Sequence, residues 1–311
     1  MERLTTLPSP RVQRWLPLLL VLGYVGLIEW LWGWRTILAA WRAMPPATLA
    51  LGAGLMGVSY AVRAWRLVDY FPAVARGRFP LMLRLTLQHN LFNHLLPARS
   101  GELSFPLLMK RWFDVPWATA TAALLWLRLL DLHTLLAIGL LALGRAWLPA
   151  GWWGPALALW LALPVAAWLG HGPLRRRVER LRSPRLRETG LRALAGLRED
   201  GTAFLRSWAF TWGNWAVKLG VLIAVLGQLL PLPLPRLALA VTSGELTSVL
   251  PLHAPGGIGT YEAGVVAGLA GAAPLSAAAA AAINLHLFLL TLAALTGLLA
   301  LLPWPAPRPA P

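Results

Sequence analysis

The chain has 311 residues, of which 58% are hydrophobic and 13% are charged, and its formal net charge at pH 7 is +16. Soluble globular domains carry roughly 25% charged residues, so this composition excludes an ordinary soluble domain. The absence of cysteine excludes disulfides and thiolate metal sites, and the densest basic cluster lies between two apolar segments, which favours a membrane surface over nucleic acid as its partner.

Six long apolar segments predict membrane-spanning helices, because a helix needs about 20 apolar residues to cross a bilayer. Tryptophan stands at many of their ends, as is typical of rings at the membrane interface. The first segment has no clear small-residue cleavage site after it, so we interpret it as a retained helix and not as a signal peptide. The six predicted spans are Trp15–Trp34, Pro46–Val62, Trp117–Leu143, Trp152–Gly170, Phe204–Leu230 and Leu275–Leu302.

Two further apolar segments, Leu81–Trp112 and Leu237–Gly271, are interrupted by a polar centre that contains proline or glycine. Neither half of either segment is long enough to span comfortably, and irregular backbone at membrane depth needs cover from protein or a water-filled cavity. We therefore predict a re-entrant helical hairpin for each. The alternative is a pair of short tilted spans for each, which gives eight or more plain spans in all.

The basic residues predict the topology, since they concentrate in cytoplasmic loops. The predicted loop 171–202 contains nine arginines and should be cytoplasmic. Counting the spans from this loop places both termini in the cytoplasm of a bacterial cell with the protein in its inner membrane. The same count places Arg63, Arg66, Arg76 and Arg78 in the cytoplasm. The proline-rich tail 303–311 is predicted to be disordered.

The predicted elements form one polytopic domain, 1–311, and they repeat. Residues 15–143 and 147–302 each contain, in order, two spans, a hairpin and a third span, and the second half starts on the opposite side of the membrane. This order indicates an inverted repeat, an arrangement in which broken helices of many transporters meet near the membrane midplane.

The centre of the first predicted hairpin could bind a ligand. Pro97 should end a helix, and Ser100 can cap the next one. Arg99 has a fork of donors that suits phosphate, and Glu102 could balance charge or accept a proton. The alternative is a structural ion pair between Arg99 and Glu102. The candidate residues in this segment are Asn93, Pro97, Arg99, Gly101 and Glu102.

The centre of the second predicted hairpin is rich in glycine, which lets backbone amides approach a ligand closely. Thr260 can cap the half-helix that follows, and Glu262 lies just inside its start. The alternative is that the glycines only allow close helix packing. The candidate residues here are Pro255, Gly256, Gly257, Gly259, Thr260 and Glu262.

Four charged residues fall within apolar segments and are further candidates for coupling or for lining a cavity: Arg128, Asp131, Lys218 and Glu245. Intramembrane charges are costly and usually face a cavity or each other. Arg128 and Asp131 share a helix face, so the alternative for them is a self-neutralising structural pair. No pattern predicts a metal site or a cofactor.

The motifs NHLLPARSGE and PGGIGTYEAG, in this order and spacing, resemble the lysylphosphatidylglycerol synthase transmembrane region family, also called the flippase-like or UPF0104 family. The resemblance covers nearly the whole chain and implies a membrane domain that moves lipids between leaflets. The full synthases also carry an aminoacyl transferase, so without one we do not expect this chain to act as an enzyme. By motif match the family's site residues correspond to Asn93, Pro97, Arg99, Gly101, Glu102, Pro255, Gly256, Gly257, Gly259 and Glu262.

The leading hypothesis is a translocase for a phosphate-bearing or anionic membrane lipid. A second is a membrane-embedded enzyme of lipid or polyprenyl-phosphate metabolism that uses Glu102, Glu262 or Asp131 as acid or base. A third is a non-transporting partner of an envelope-lipid synthase.

Overall fold

The structure is a computed structural model. It describes residues 22–302 apart from residues 24, 27, 32, 148, 150, 197–199 and 250–254, and it gives only the backbone of residues 95, 97–99, 143–147 and 255. All regular elements in this part of the chain are helical. The predicted all-α membrane fold is confirmed. The predicted disordered tail, 303–311, lies outside the described residues.

The helices are numbered in chain order within the described part. The first half contains α1 (Trp34–Ala43), α2 (Pro46–Tyr70), α3 (Pro72–Ala75), α4 (Phe79–Leu95), the 3-10 helix η1 (Pro97–Leu103), α5 (Ser104–Phe113) and α6 (Trp117–Trp147). The second half contains α7 (Trp153–Glu179), α8 (Pro184–Leu194), α9 (Gly201–Leu229), α10 (Leu234–Val249), the 3-10 helix η2 (Pro255–Gly257), α11 (Thr260–Gly268) and α12 (Leu275–Leu301).

Five helices in the described part of the chain, α2, α6, α7, α9 and α12, are long and apolar enough to cross a membrane. They correspond to five of the six predicted spans. Half of the remaining predicted span, Trp15–Trp34, lies outside the described residues. Because these spans are so apolar and so long, the protein is a multi-span membrane protein.

Three predicted spans end earlier than the helices do. The span predicted to end at Val62 continues in α2 as far as Tyr70, so Arg63 and Arg66 lie on a long helix and not in a cytoplasmic loop. Arg66 is buried, and an ion pair of 2.9 Å to Asp131 neutralises its charge. A paired arginine can continue an apolar helix, which the count of basic residues does not detect.

The predicted basic loop 171–202 is also largely helical. Residues 171–179 extend α7, and α8 follows with Ser183 as its N-cap. The indole N–H of Trp126 in α6 donates a hydrogen bond of 2.8 Å to the carbonyl oxygen of Ala193, which attaches the end of α8 to α6. Six arginines of this segment therefore lie in helices, namely Arg175, Arg176 and Arg177 in α7 and Arg185, Arg187 and Arg192 in α8.

Both interrupted segments break where the sequence predicts. The first break follows Leu96, whose backbone is extended (ψ 137°), as is usual for a residue before proline. The second break contains Gly256, Gly257 and Gly259, which all have positive φ values. After it, α11 folds back onto α10 so closely that a Cβ on Gly268 would lie 2.5 Å from the Cα of Ala240. Each segment is thus a helix, a turn and a second, shorter helix.

The helix contacts repeat between the two halves of the chain. The long helices α2 and α9 pack against each other, α4 packs against α12, and α10 packs against α6. An exchange of the two halves turns the α4–α12 contact into the α10–α6 contact. The predicted inverted repeat stays a prediction, and these reciprocal contacts support it.

Candidate functional site

The turn of the first broken segment is held against its own helix. A Cβ on Gly101 would lie 2.4 Å from the carbonyl oxygen of Phe92 and 2.6 Å from the backbone of Asn93. Only glycine allows η1 to approach α4 this closely. The hydroxyl of Ser104 then donates a hydrogen bond of 2.6 Å to the carbonyl oxygen of Gly101. Gly101 therefore allows η1 to pack against α4, and it would affect the predicted ligand site only by positioning this turn.

This turn directs Glu102 toward α6 and α4. One carboxylate oxygen of Glu102 is 2.8 Å from the guanidinium of Arg128, and the other is 3.7 Å from Nε2 of His89. The remaining ring nitrogen of His89 is 2.8 Å from the hydroxyl of Ser104. Glu102 thus has a cationic partner in α6, whereas the side chain of Arg99, its alternative predicted partner, lies outside the described part.

Asp131 is the centre of a buried network that extends beyond its own helix. The sequence suggested a pair of Arg128 and Asp131, and these two side chains are 3.6 Å apart. The closer partners of Asp131 are Arg66 in α2, at 2.9 Å, and the indole N–H of Trp215 in α9, at 3.1 Å. Arg66 also donates a hydrogen bond to Thr211 at 2.8 Å. The predicted pair of Arg128 and Asp131 is therefore present, but it is not self-contained, because three helices share this carboxylate.

The N-terminus of α11, in the second broken segment, has a different cap from the predicted one. The expected cap, Thr260, uses its hydroxyl to donate to the carbonyl oxygen of Gly257 at 3.0 Å. The carboxylate of Glu262 instead accepts the N–H of Gly259 at 2.8 Å. Its other oxygen is 2.7 Å from Nδ1 of His286 in α12. Glu262 thus holds the start of α11 and joins it to α12.

Lys218 and Glu245 form a further ion pair within the helical bundle. The ammonium nitrogen of Lys218 in α9 is 2.5 Å from a carboxylate oxygen of Glu245 in α10, whose side chain is only 1% exposed. The ammonium group also lies 5.1 Å from the ring centre of Trp215. The predicted possibility that both residues face one cavity agrees with this geometry.

A polar cavity of about 750 Å³, including its open mouth, lies between the two broken segments and the long helices α2, α6, α9 and α12. Among the described residues its wall carries three cations and two carboxylates. The lining residues are Arg63, Asn90, Asn93, His94, Glu102, Arg128, Trp215, Lys218, Glu245, Ser248, Val249, Gly256, Tyr261, His286 and Leu289. A cavity with this lining is suited to binding an anion.

The predicted site residues divide into three groups. Asn93, Glu102, Gly256, Arg128, Lys218 and Glu245 line the cavity. Of the other candidates with described side chains, none belongs to the lining: Gly101, Gly257, Gly259, Thr260, Glu262 and Asp131. The side chains of Pro97, Arg99 and Pro255 lie outside the described part of the chain.

Sequence reasoning missed Arg63, Ser248, Tyr261 and His286 as lining residues. His286 was detectable, because it is a polar residue in the most apolar of the candidate spans. Arg63 was not, because it follows the predicted end of its span and resembles an ordinary cytoplasmic anchor. Among the described residues no group of three His, Cys, Asp or Glu side chains is arranged to hold a metal ion.

Comparison with protein families places the chain. A comparison with curated proteins and one with solved structures found nothing similar. The family model of the lysylphosphatidylglycerol synthase TM region matches residues 14–297, which includes both broken segments and every residue that lines the cavity. The chain therefore belongs to the family of the lysylphosphatidylglycerol synthase TM region.

Proposed function

We propose that the protein is a lipid translocase that moves a phosphate-bearing lipid between the leaflets of a bacterial inner membrane. The family points to a membrane role that concerns lipids. The observation that carries the proposal is the polar cavity, which lies among apolar spans and is lined by both broken segments. In a membrane such a cavity can solvate a headgroup while the acyl chains stay in the hydrocarbon.

The position of the charges along the spans supports this role. Arg128 and Lys218 line the cavity, and each lies well inside a helix long enough to cross the membrane. A charged headgroup meets its largest barrier in the hydrocarbon core, because burial of an unpaired charge is costly. Fixed cations at that depth would lower the barrier for an anionic headgroup.

The proposed roles follow from the contacts. Arg99 and the backbone around Gly256–Thr260 would bind the phosphate, as the motifs predict. Glu102 and Glu262, which face Arg128 and His286, respectively, would balance charge or couple proton movement. Because Glu262 already accepts the amide of Gly259, that amide is not available for a ligand in this state. Both termini would lie in the cytoplasm, and an envelope-lipid synthase could supply the lipid.

The experiment is lipid movement in proteoliposomes that contain the purified chain and fluorescent phosphatidylglycerol. Ser248 lines the cavity, so Ser248→Trp should fill it and reduce the rate toward that of protein-free vesicles. Leu159 in α7 is 70% exposed, so Leu159→Trp is a matched control that should move lipid at the wild-type rate. Arg99→Ala tests the predicted phosphate contact.

Two results would contradict the translocase. One is a wild-type rate equal to that of protein-free vesicles, and the other is equal rates for wild type and Ser248→Trp. Mass spectrometry of the same vesicles tests the enzyme hypothesis. Unchanged lipid species agree with a transporter, whereas a new species indicates an enzyme.

A further inference from the structure

The long helices α2 and α9 carry equivalent residues at equivalent positions. Counted from the first residue of each helix, Arg63 in α2 stands at the same position as Lys218 in α9, and Ser59 at the same position as Asn214. The hydroxyl of Ser59 hydrogen-bonds the side-chain oxygen of Asn214 at 2.8 Å. A direct contact between equivalent positions is expected where a two-fold axis passes between two helices.

The same register relates α6 to α12. Arg128 and His286 stand at the same position from the starts of these helices. Each binds the carboxylate that follows the break in its own half: Arg128 contacts Glu102 at 2.8 Å, and His286 contacts Glu262 at 2.7 Å. The equivalence therefore extends from helix order to individual side-chain contacts.

The third helix pair shows where the two halves differ. In α4 and α10, the equivalent positions are occupied by Asn90 and Glu245. Glu245 neutralises Lys218 in the second half. The residue equivalent to it, Asn90, is a neutral amide that contacts the hydroxyl of Tyr60 at 3.5 Å. The first half therefore has the cation of this pair, Arg63, without its carboxylate.

No carboxylate in the described part of the chain pairs with Arg63 alone. Within the described part of the chain Arg63 makes no hydrogen bond or ion pair, although it lines the cavity. The carboxylate that acts electrostatically on it is Asp131, which already pairs with the guanidinium of Arg66 and faces that of Arg128. Arg63 is thus the third arginine that acts on one shared carboxylate, and it lines the cavity without a hydrogen-bond partner among the described residues.

We propose that Arg63 binds the phosphodiester of the lipid headgroup, and that the neutral side chain of Asn90 keeps Arg63 available for it. This inference rests on the proposed function and names its anchoring residue and its anion. A phosphodiester carries one negative charge, which matches the one cation by which the described lining exceeds its carboxylates. A guanidinium can donate two parallel hydrogen bonds to such a group.

The test adds the missing carboxylate. Asn90→Asp changes the charge with almost no change of shape and should pair with Arg63 in place of the ligand. Binding of short-chain phosphatidylglycerol to the purified full-length protein in detergent, measured by calorimetry, should weaken about ten- to a hundredfold, the range for one charge-assisted hydrogen bond. Arg63→Gln should weaken it similarly. Gln228→Glu adds the same charge at an exposed position of α9 and should bind as wild type does.

Thermal stability separates this role from a structural one. Asn90→Asp should keep or raise the melting temperature, because it gives a half-buried cation a partner, and Arg63→Gln should not lower it. A loss of binding with retained stability supports the proposal. Wild-type binding by Asn90→Asp would overturn it, and so would a lowered melting temperature, since the new carboxylate would then have found no cation.

Further measurements identify the ligand and separate this inference from the proposed function. Competition by phosphatidylglycerol but not by short-chain diacylglycerol supports a phosphodiester lipid, whereas inorganic phosphate that binds as tightly as the lipid would overturn the lipid assignment. If wild type moves lipid and Asn90→Asp moves it equally fast, the role of Arg63 is wrong while the translocase stands. If wild type binds the lipid but moves none, the translocase is wrong and the binding results still decide the role of Arg63.

Discussion

The buried ion pair of Lys218 and Glu245 makes a quantitative prediction about stability. The carboxylate of Glu245 is 1% exposed and the side chain of Lys218 is 14% exposed, with 2.5 Å between their charged atoms. With an effective dielectric constant of about 20, the attraction at this distance is roughly 7 kcal/mol before the cost of desolvation. The net loss when one partner of a buried pair is removed is about 3–5 kcal/mol, because the other charge stays buried.

We therefore expect Glu245→Gln to lower the melting temperature by about 6–20 °C, taking 2–4 °C per kcal/mol. Intrinsic tryptophan fluorescence of the protein in detergent reports the transition, since the chain has 18 tryptophans. The double variant Lys218→Met with Glu245→Gln should recover most of the loss, because it removes both charges. Glu179→Gln is the control: its pair with Arg175 is about half exposed, and such pairs contribute at most about 1 kcal/mol.

Two results would refute this reasoning. If Glu245→Gln changes the melting temperature no more than Glu179→Gln does, the buried pair contributes no more than a surface pair. If the double variant is as unstable as Glu245→Gln alone, the loss arises from packing and not from the charge left on Lys218.

Three further changes have defined outcomes. Gly101→Ala should prevent normal folding of the first break, because the new Cβ would lie 2.4 Å from the backbone of α4. Gly54→Ala is the control and should be tolerated, because a Cβ there would contact nothing within 4 Å. The yield of monodisperse protein in size-exclusion chromatography measures both effects. Asp131→Asn should lower the free energy of unfolding by about 3–5 kcal/mol, because it leaves Arg66 buried without its counter-charge; the melting temperature in detergent reports this loss. Gly256→Ala should lower the free energy of unfolding by about 1–2 kcal/mol, because the φ of Gly256 is +67° and a residue with a Cβ is strained in this conformation.

Each of these outcomes can fail. Equal yields for Gly101→Ala and Gly54→Ala would mean that η1 does not lie against α4. An Asp131→Asn protein as stable as wild type would mean that Arg66 finds another counter-charge. Wild-type stability of Gly256→Ala would mean that the turn can adopt an ordinary backbone conformation.

Local features of the candidate site were predictable because they depend on residues close in sequence. Pro97 and the glycines at 256, 257 and 259 determine where the two segments break, since proline and positive φ act on the backbone itself. The roles of Thr260 and Arg63 were not predictable. The cap of α11 depends on the competition between Thr260 and Glu262, and the environment of Arg63 depends on how far α2 continues.

The sequence by itself determined that the chain is an all-helical membrane protein with two broken segments, because apolar run length and helix-breaking residues are local properties. Only the tertiary structure decided which charges meet. Glu102 pairs with α6, Asp131 joins α2 and α9, and Lys218 meets Glu245, and all of these contacts link residues far apart in the chain. The reason is physical: a charge in a membrane takes the partner that helix packing brings within reach, and sequence spacing does not encode that packing.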